Sequence, residues 1–199
     1  AAKKVFEKSA EEEDPMGLHL LASLYYEGKG VEKDLKKAVN LFEAAAEKGF
    51  VASNANLGLI YQNGEGVEKD LPKAIEFYKT AAEKGHLQSL FNLGQIYRKG
   101  EGVTKNLEKA ADYYSEAAVN GYLPAFNEFG LLFAQGQGVK RNYVEAYAWL
   151  ALGAENKDEQ AAKNLETVIK ILGKDMLPKA NDRLGEIKDE YFNQLKKPK

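Results

Sequence analysis

Histidine and serine are the residue types that most often carry metal binding or nucleophilic catalysis, and the chain holds two histidines, His19 and His86. They lie far apart in sequence, and no His-Glu-x-x-His motif places either of them in a zinc-ligand set. A serine nucleophile needs a neighbouring base. The Ser-x-x-Lys motif of penicillin-recognising enzymes is absent, because no lysine stands three residues after any serine: Ser9, Ser23, Ser53, Ser89 or Ser115. The sequence therefore predicts neither a metal site nor a catalytic nucleophile.

Glycines, carboxylates and aromatic residues recur at fixed intervals, which favours structural roles for all three. A Gly-x-Gly pair lies between helical patterns in four places rather than after a strand, so it predicts a helix cap and turn instead of a phosphate-binding loop. The acidic residues cluster in Ala-Glu-Lys and Val-Glu-Lys-Asp strings, a pattern typical of solvated helix surfaces. The aromatic residues predict core positions rather than a base-stacking platform; they include Tyr25, Tyr61, Tyr97, Phe42, Tyr78, Tyr114 and Trp149.

Composition excludes several classes of protein. The 199 residues are 44% hydrophobic and 29% charged, enough for both a core and a solvated surface. A net charge of −2 gives no indication of a nucleic-acid-binding face, and the lack of cysteine excludes disulfides, iron–sulfur clusters and thiolate zinc sites. No apolar run approaches the roughly 18 residues that a membrane span needs. Because the chain starts at Ala1 rather than Met, we expect that a preceding segment was processed away or left out.

A 36-residue repeat organises the chain and predicts two helices, A and B, in each unit. Helix A carries apolar residues at i, i+3 and i+4, as in Leu57, Ile60 and Tyr61. A small residue follows the first leucine, and glycine inside a helix costs about 1 kcal/mol, so its recurrence indicates close approach of helix B. Helix A ends at a glycine, and helix B starts after an N-cap residue: Asp34, Asp70, Asn106 or Asn142.

The periodicity predicts eleven helices, over residues 2–13, 15–27, 34–48, 51–63, 70–84, 87–99, 106–120, 123–135, 142–155, 158–172 and 176–195. The chain opens with helix B of a partial repeat, 2–13. Repeats follow over 15–49, 50–85, 86–121 and 122–157, and then a degenerate repeat with a C-terminal capping helix, 158–199. We expect a single solenoid domain over 1–199, in which the last helix shields the apolar face of the helix before it.

The repeat resembles the Sel-1-like repeat, a branch of the tetratricopeptide-like solenoids. The resemblance covers about residues 2–172, and in the second copy it runs through Leu57, Gly58, Tyr61, Gly64, Gly66, Val67, Asp70, Lys73, Ala74, Tyr78, Ala81, Ala82 and Gly85. It implies an all-α, right-handed α-solenoid of antiparallel helix pairs, with helix A on the concave side. It also implies an adaptor or scaffold role, a bacterial source, and export to the periplasm or secretion.

Three functions are consistent with these observations. The resemblance, together with the lack of any repeated catalytic group, favours a non-catalytic scaffold that binds a protein or peptide without a cofactor. A cysteine-rich bacterial branch of the family is linked to penicillin binding, so a cell-wall-related or β-lactam hydrolase is an alternative; the missing cysteines and Ser-x-x-Lys motif disfavour it. The third is a fragment of a larger scaffold. We expect a monomer that binds no nucleic acid.

The resemblance also implies which side chains line the concave groove. They stand at positions two, five, nine, twelve and thirteen of helix A, counted from Pro15, Val51, Leu87, Leu123 and Glu159, and we call these positions the helix-A face. The candidate binding residues on it are His19, Ser23, Tyr26, Gln62, Asn63, Gln88, Phe91, Gln95, Arg98, Lys99, Asn127, Leu131, Gln135, Lys163 and Lys170.

The candidate residues vary between repeats, as a surface that recognises a ligand would. Four of them are basic, against Glu27 as the one acidic residue on the face, which predicts a locally basic groove and favours an acidic or carboxylate-bearing peptide. The amides of Gln62, Gln95 and Asn127 are then expected to hold the peptide backbone.

Overall fold

The protein was analysed as a computed structural model that describes residues 2–193. Within that range there are eleven α-helices and no strand: α1 (Ala2–Glu11), α2 (Pro15–Glu27), α3 (Leu35–Glu47), α4 (Val51–Asn63), α5 (Leu71–Glu83), α6 (Leu87–Lys99), α7 (Leu107–Val119), α8 (Leu123–Gln135), α9 (Tyr143–Glu155), α10 (Glu159–Leu172) and α11 (Leu177–Ile187). Successive helices pack in pairs. The predicted all-α solenoid of antiparallel helix pairs is therefore confirmed.

The last predicted helix, 176–195, is not the single regular α-helix that the sequence predicts. A 3-10 turn at Lys174–Met176 precedes α11, and a π-helical segment at Lys188–Asn193 continues it. The wider π turns occur where two adjacent residues both reach the core: Tyr191 lies 6.3 Å from Trp149, and Phe192 lies 5.7 Å from Phe126, measured between ring centroids. The predicted core position Leu195 lies outside the described residues.

The chain divides into two compact units, Ala1–Ser89 and Leu90–Lys199. Buried apolar side chains of α2, α3, α4 and α5 form a core in the first unit, with Leu57 and Ile60 at most 1% exposed. In the second unit, a cluster around Leu150 and Val168 joins α9 to α10. The organisation into one domain with the repeat boundaries given above stays a prediction.

The B helices begin where the sequence places their N-caps. Asp34 accepts a hydrogen bond from the backbone N–H of Lys37 at 2.9 Å, and Asp70 accepts one from that of Lys73 at 3.0 Å. Asn106 and Asn142 cap the two later B helices in the same way. An N-cap residue has non-helical backbone angles, which explains why α3, α5, α7 and α9 each begin one residue later than predicted.

The recurring small residue of helix A is required by the side chain that helix B presses against it. A β-carbon built at Gly58 would lie 2.5 Å from Cδ1 of Tyr78, and one built at Gly94 would lie 2.7 Å from Cε1 of Tyr114. Carbon atoms in favourable contact are about 3.5–4.0 Å apart. The predicted close approach of helix B is therefore confirmed at these positions.

A lysine of helix B covers a tyrosine of helix A in three repeats. The Lys37 ammonium donates to the Tyr25 hydroxyl at 2.9 Å, and the Lys73 ammonium donates to that of Tyr61 at 2.6 Å. The same lysine nitrogens lie 4.3 and 4.0 Å from the centroids of the tyrosine rings, close enough for a cation–π interaction. Lys109 lies over Tyr97 at 5.3 Å in the third repeat. These pairs link helices A and B at one edge of each of the three repeats.

The C-terminal helix packs mainly against α9. Arg183 of α11 donates from Nε to Oε1 of Glu145 in α9 at 2.7 Å. The Tyr147 hydroxyl of α9 donates to Asn181 of α11, and Lys188, directly after α11, donates to Glu155 of α9. The described contacts of α11 with the preceding helices are mainly with α9 rather than with α10, and the expectation that it shields the apolar face of 158–172 stays a prediction. Gly173 and the 3-10 turn carry the chain back towards α9 instead.

Candidate partner-binding face

In the first unit, the helix-A face carries exposed apolar side chains among polar ones. Met16 at position two of α2 is 55% exposed, and Leu59 at position nine of α4 is 41% exposed. Most soluble proteins expose isolated apolar residues, but these two stand on the face that the repeat pattern assigns to a partner. They add an apolar component that the polar candidate residues alone do not provide.

His19 is half-buried rather than free in the groove. Its ring lies 4.7 Å from that of Phe50 and 5.3 Å from that of Phe42, and its Nδ1 is 2.9 Å from Oγ of Ser53. Burial lowers the pKa of the imidazole, because an apolar surrounding disfavours the charged form. Ser23 donates from its hydroxyl to the backbone oxygen of His19 at 3.0 Å, so this part of the face is internally bonded.

Glu65 accepts hydrogen bonds from two candidate side chains at the end of the face. The Tyr26 hydroxyl donates to its carboxylate, and Asn63 donates from Nδ2 to Oε1 at 2.7 Å. The Tyr26 hydrogen bond is the main cause that holds the pKa of Glu65 below its usual range. Burial, reinforced by Glu65, raises the pKa of Tyr26 to about 12. Glu65 therefore places a partly exposed negative charge beside two candidate residues, Tyr26 and Asn63, and the count of charges on helix A did not include it.

Position twelve of helix A faces the aromatic residue of helix B. Gln62 accepts a hydrogen bond at 2.8 Å from the Tyr78 hydroxyl. Arg98 holds the same position over Tyr114 in the second unit, but the Tyr114 hydroxyl and the Arg98 Nε are both buried and form no hydrogen bond with any described residue. Burial raises the pKa of Tyr114. Gln62 and Arg98 therefore pack against the interior of their repeats as well as forming part of the helix-A face.

Phe91 and Arg98 anchor the helix-A face of the second unit. The Phe91 ring lies 5.5 Å from those of Tyr114 and Tyr122 and is half-buried. Arg98 Nη2 lies 3.4 Å from Oε2 of Glu128. Removal of either side chain would therefore disturb packing or charge pairing inside the unit, besides any effect on a partner.

A hydrogen bond between two asparagine side chains connects α8 to α10 on the same side of the repeats. Asn164 donates from Nδ2 to Oδ1 of Asn127 at 2.7 Å, and Asn127 donates to Glu128 at 3.3 Å. Glu128 and Asn164 were missed as candidates. A signal existed in the sequence, because position six of helix A is polar in four successive repeats: Asn56, Asn92, Glu128 and Asn164.

The positive charge of the face is partly compensated. Arg98 lies 3.4 Å from Glu128, and Lys99 lies 3.4 Å from Glu101. Lys163 and Lys170 are exposed on α10. Among the remaining candidates, Gln95 and Leu131 are half-buried, and Gln88 and Gln135 are exposed. The structure thus places the set on helices α2, α4, α6, α8 and α10, without an unpaired basic cluster in α6.

Two serine–histidine pairs have the spacing of a nucleophile and its base. His19 lies 2.9 Å from Ser53, and His86 lies 2.9 Å from Ser89. Both serines are fully buried, burial lowers the pKa of each histidine, and neither ring is hydrogen-bonded to a carboxylate among the described residues. His86 Nδ1 also accepts the backbone N–H of Ser89 at the start of α6. The geometry indicates packing and helix capping rather than acyl transfer.

The described residues contain no group of three or more histidine or acidic side chains placed to hold a metal ion. None of the helices within residues 2–193 combines the length and apolar character that crossing a bilayer demands.

Comparisons with known proteins identify the repeat. The sequence profile of the Sel1 repeat matches residues 15–50, 51–86, 87–122 and 129–158, which together make up more than half of the chain. A comparison with curated proteins finds no match.

Three solved structures are similar to this chain. A protective antigen of uropathogenic Escherichia coli with an SLR fold aligns over 99% of this chain and 44% of its own, with 31% identity and a TM-score of 0.85. A Sel1 repeat protein from Oxalobacter formigenes aligns over 77% of this chain and 61% of its own, with 35% identity and a TM-score of 0.73. An immunity protein from Pseudomonas aeruginosa aligns over 80% and 58%, with 25% identity and a TM-score of 0.51.

This chain spans less than two thirds of the length of each of these three relatives. The repeat profile agrees with the 36-residue period, since its first three matches begin at residues 15, 51 and 87, and the two relatives above 30% identity agree with the fold. The chain belongs to the Sel1 repeat family.

Proposed function

We propose that the protein is a non-catalytic scaffold that binds a protein or peptide partner on the helix-A face. Sel1 repeats typically mediate protein interactions, and one structural neighbour is described as an immunity protein. The observation that carries the proposal is the exposure of Met16, Leu59 and Ile171 at positions two, nine and thirteen of helix A.

Exposed apolar side chains surrounded by polar groups are typical of protein-binding surfaces. The surrounding groups here are amides and carboxylates already held in place by internal hydrogen bonds, such as Asn127 with Asn164 and Asn63 with Glu65. Ordering these side chains on binding costs little entropy because they are ordered beforehand. A partner thus meets fixed polar contacts and a few apolar anchors.

The compensated charge of the face changes the expected partner. Because Arg98 and Lys99 already lie beside glutamates, the attraction for an acidic peptide is confined to Lys163 and Lys170 on α10. We therefore infer that apolar contacts contribute most of the affinity, and that charge contributes mainly at the α10 end.

The test is affinity capture with single substitutions on exposed positions of the face. Leu59→Glu and Ile171→Glu each replace an anchor without touching the core. Truncating a binding anchor typically costs more than about 1 kcal/mol, so we expect capture to fall at least about fivefold. Phe91 and Arg98 are poorer probes because both also stabilise the repeat interior.

Matched controls stand on exposed positions of helix B, where Asn40→Glu and Thr80→Glu introduce the same charge. Circular dichroism of every variant checks that helicity is intact. Partners that disappear with both face variants and persist with both controls support the proposal. Partners that are lost with the helix-B controls and retained by the face variants would place the binding site on the other side of the repeats.

A further inference from the structure

A cleft of about 470 Å³ in the second unit lies apart from the helix-A face. Its floor is formed by the rings of Phe129, Phe133, Trp149 and Tyr191. The Phe129 and Trp149 centroids are 5.2 Å apart, and those of Trp149 and Tyr191 are 6.3 Å apart. Pockets of about 300–1,000 Å³ with mainly apolar walls are the size that takes small ligands or buried side chains.

The cleft lies where the fourth repeat departs from a contact shared by the first three. In those repeats a lysine covers the tyrosine of helix A, and in two of them the tyrosine also stacks on a ring of helix B, at 5.6 Å from Phe77 in one and from Tyr113 in the other. In the fourth repeat, Phe133 takes the place of the tyrosine and Glu145 takes the place of the lysine. The fourth repeat therefore lacks the lysine–tyrosine pair that the first three repeats have at this place.

The cation missing from the fourth repeat is supplied by the C-terminal helix. Arg183 donates from Nε to Glu145 at 2.7 Å and from Nη1 to Glu186 at 3.0 Å. This pairing compensates Glu145, the one carboxylate among the described residues that line the cleft. Lys140 and Arg141, on the loop before α9, line the same cleft, are exposed, and form no ion pair with any described carboxylate. The rim therefore keeps two positive charges that no described carboxylate pairs with, beside an aromatic floor.

We propose that this cleft docks a partner segment in which a large apolar side chain is flanked by carboxylates. The apolar side chain fills the space over Phe129 and Trp149, where burial of apolar surface favours binding. The flanking carboxylates face Lys140 and Arg141, which also steer the segment to the cleft. This site is independent of the helix-A face, so the chain offers two separate contact surfaces within its second unit.

The probe is an acetylated and amidated peptide, Glu-Leu-Phe-Glu, titrated into the full chain. Isothermal calorimetry gives the affinity. Because Trp149 is the only tryptophan of the chain, a change of its fluorescence reports occupation of this cleft. We expect binding with a fluorescence change, weaker binding of Gln-Leu-Phe-Gln and of Glu-Ala-Ala-Glu, and a loss of affinity at high salt.

The variant Lys140→Glu/Arg141→Glu should weaken binding on the order of tenfold, because each exposed ion pair contributes up to about 1 kcal/mol. Lys79→Glu/Lys84→Glu makes the same change of net charge on exposed positions of the first unit and should bind as wild type does. Ile171→Glu on the helix-A face should also leave the affinity unchanged, which separates this proposal from the preceding one. No binding by wild type, an unchanged affinity in the Lys140/Arg141 variant, or equal losses in the control would each overturn the proposal.

Discussion

Substitution of Gly58 by alanine sets two effects of known size against each other. Alanine within a helix is favoured over glycine by about 1 kcal/mol, so the substitution would stabilise an exposed helix. At Gly58 the added β-carbon would lie 2.5, 2.6 and 2.9 Å from Cδ1, Cε1 and Cγ of Tyr78. Overpacking a core typically costs about 1–3 kcal/mol.

At Gly58 the cost of overpacking should exceed the gain in helix propensity. The contacts are roughly 1 Å shorter than favourable carbon–carbon distances, and they involve the body of a ring rather than a flexible chain end. Tyr78 is 1% exposed, and its hydroxyl is bonded to Gln62, so the ring has little freedom to move. We expect the free energy of unfolding to fall by about 1–2 kcal/mol after the propensity gain is subtracted.

Gly185 in α11 is the matched control for Gly58→Ala. It is also a helical glycine, but its β-carbon would meet no atom within 4 Å, and the residue is exposed. Gly185→Ala should therefore raise the free energy of unfolding by up to about 1 kcal/mol. Urea denaturation followed by circular dichroism measures both variants. If Gly58→Ala is as stable as wild type or more stable, the close approach of helices A and B does not explain the recurring small residue.

Leu57→Ala should lower the free energy of unfolding by about 2–5 kcal/mol, because Leu57 is fully buried; a urea midpoint equal to that of wild type would contradict its core position. Partial burial lowers the pKa of His19 in the folded protein, so the unfolded chain binds more protons below pH 6.5, and stability should fall as the pH drops through that value. The loss between pH 7.5 and 5.5 should be smaller in His19→Gln; an equal loss would show that His19 is not responsible. Deletion of residues 176–199 removes the Tyr191 contact with Trp149 and should red-shift the tryptophan emission and promote self-association, whereas an unchanged spectrum and a monomeric product would refute a capping role.

The helices could be predicted from the sequence because each signal is local and repeated. The stripe of Leu57, Ile60 and Tyr61 is a property of one helix, and Asp70 caps the helix that starts next to it. Repetition at 36 residues turned weak local preferences into a consistent pattern. The C-terminal segment lacked that repetition, and so neither the packing of Arg183 on Glu145 nor the π-helical turns followed from it.

The candidate site was predicted less completely, because its chemistry depends on pairs that are distant in sequence. Tyr26 bonds to Glu65 and His19 to Ser53, each across about one repeat. A count of charges on helix A did not include Glu65, which lies in a loop, or Glu128, which stands at a position not assigned to the face. The pairing of Arg98 with Glu128 therefore appeared only in three dimensions.

The measurement that tests the central claim most directly is site-specific photo-crosslinking of the full chain to its partner. A photoreactive phenylalanine derivative is placed at Leu59 or Ile171 on the helix-A face, or at Asn40 or Thr80 on exposed positions of helix B. All four sites are solvent-accessible, so accessibility alone predicts equal yields. Binding on the helix-A face predicts partner crosslinks from Leu59 and Ile171 and none from Asn40 or Thr80; crosslinks confined to Asn40 and Thr80 would contradict it.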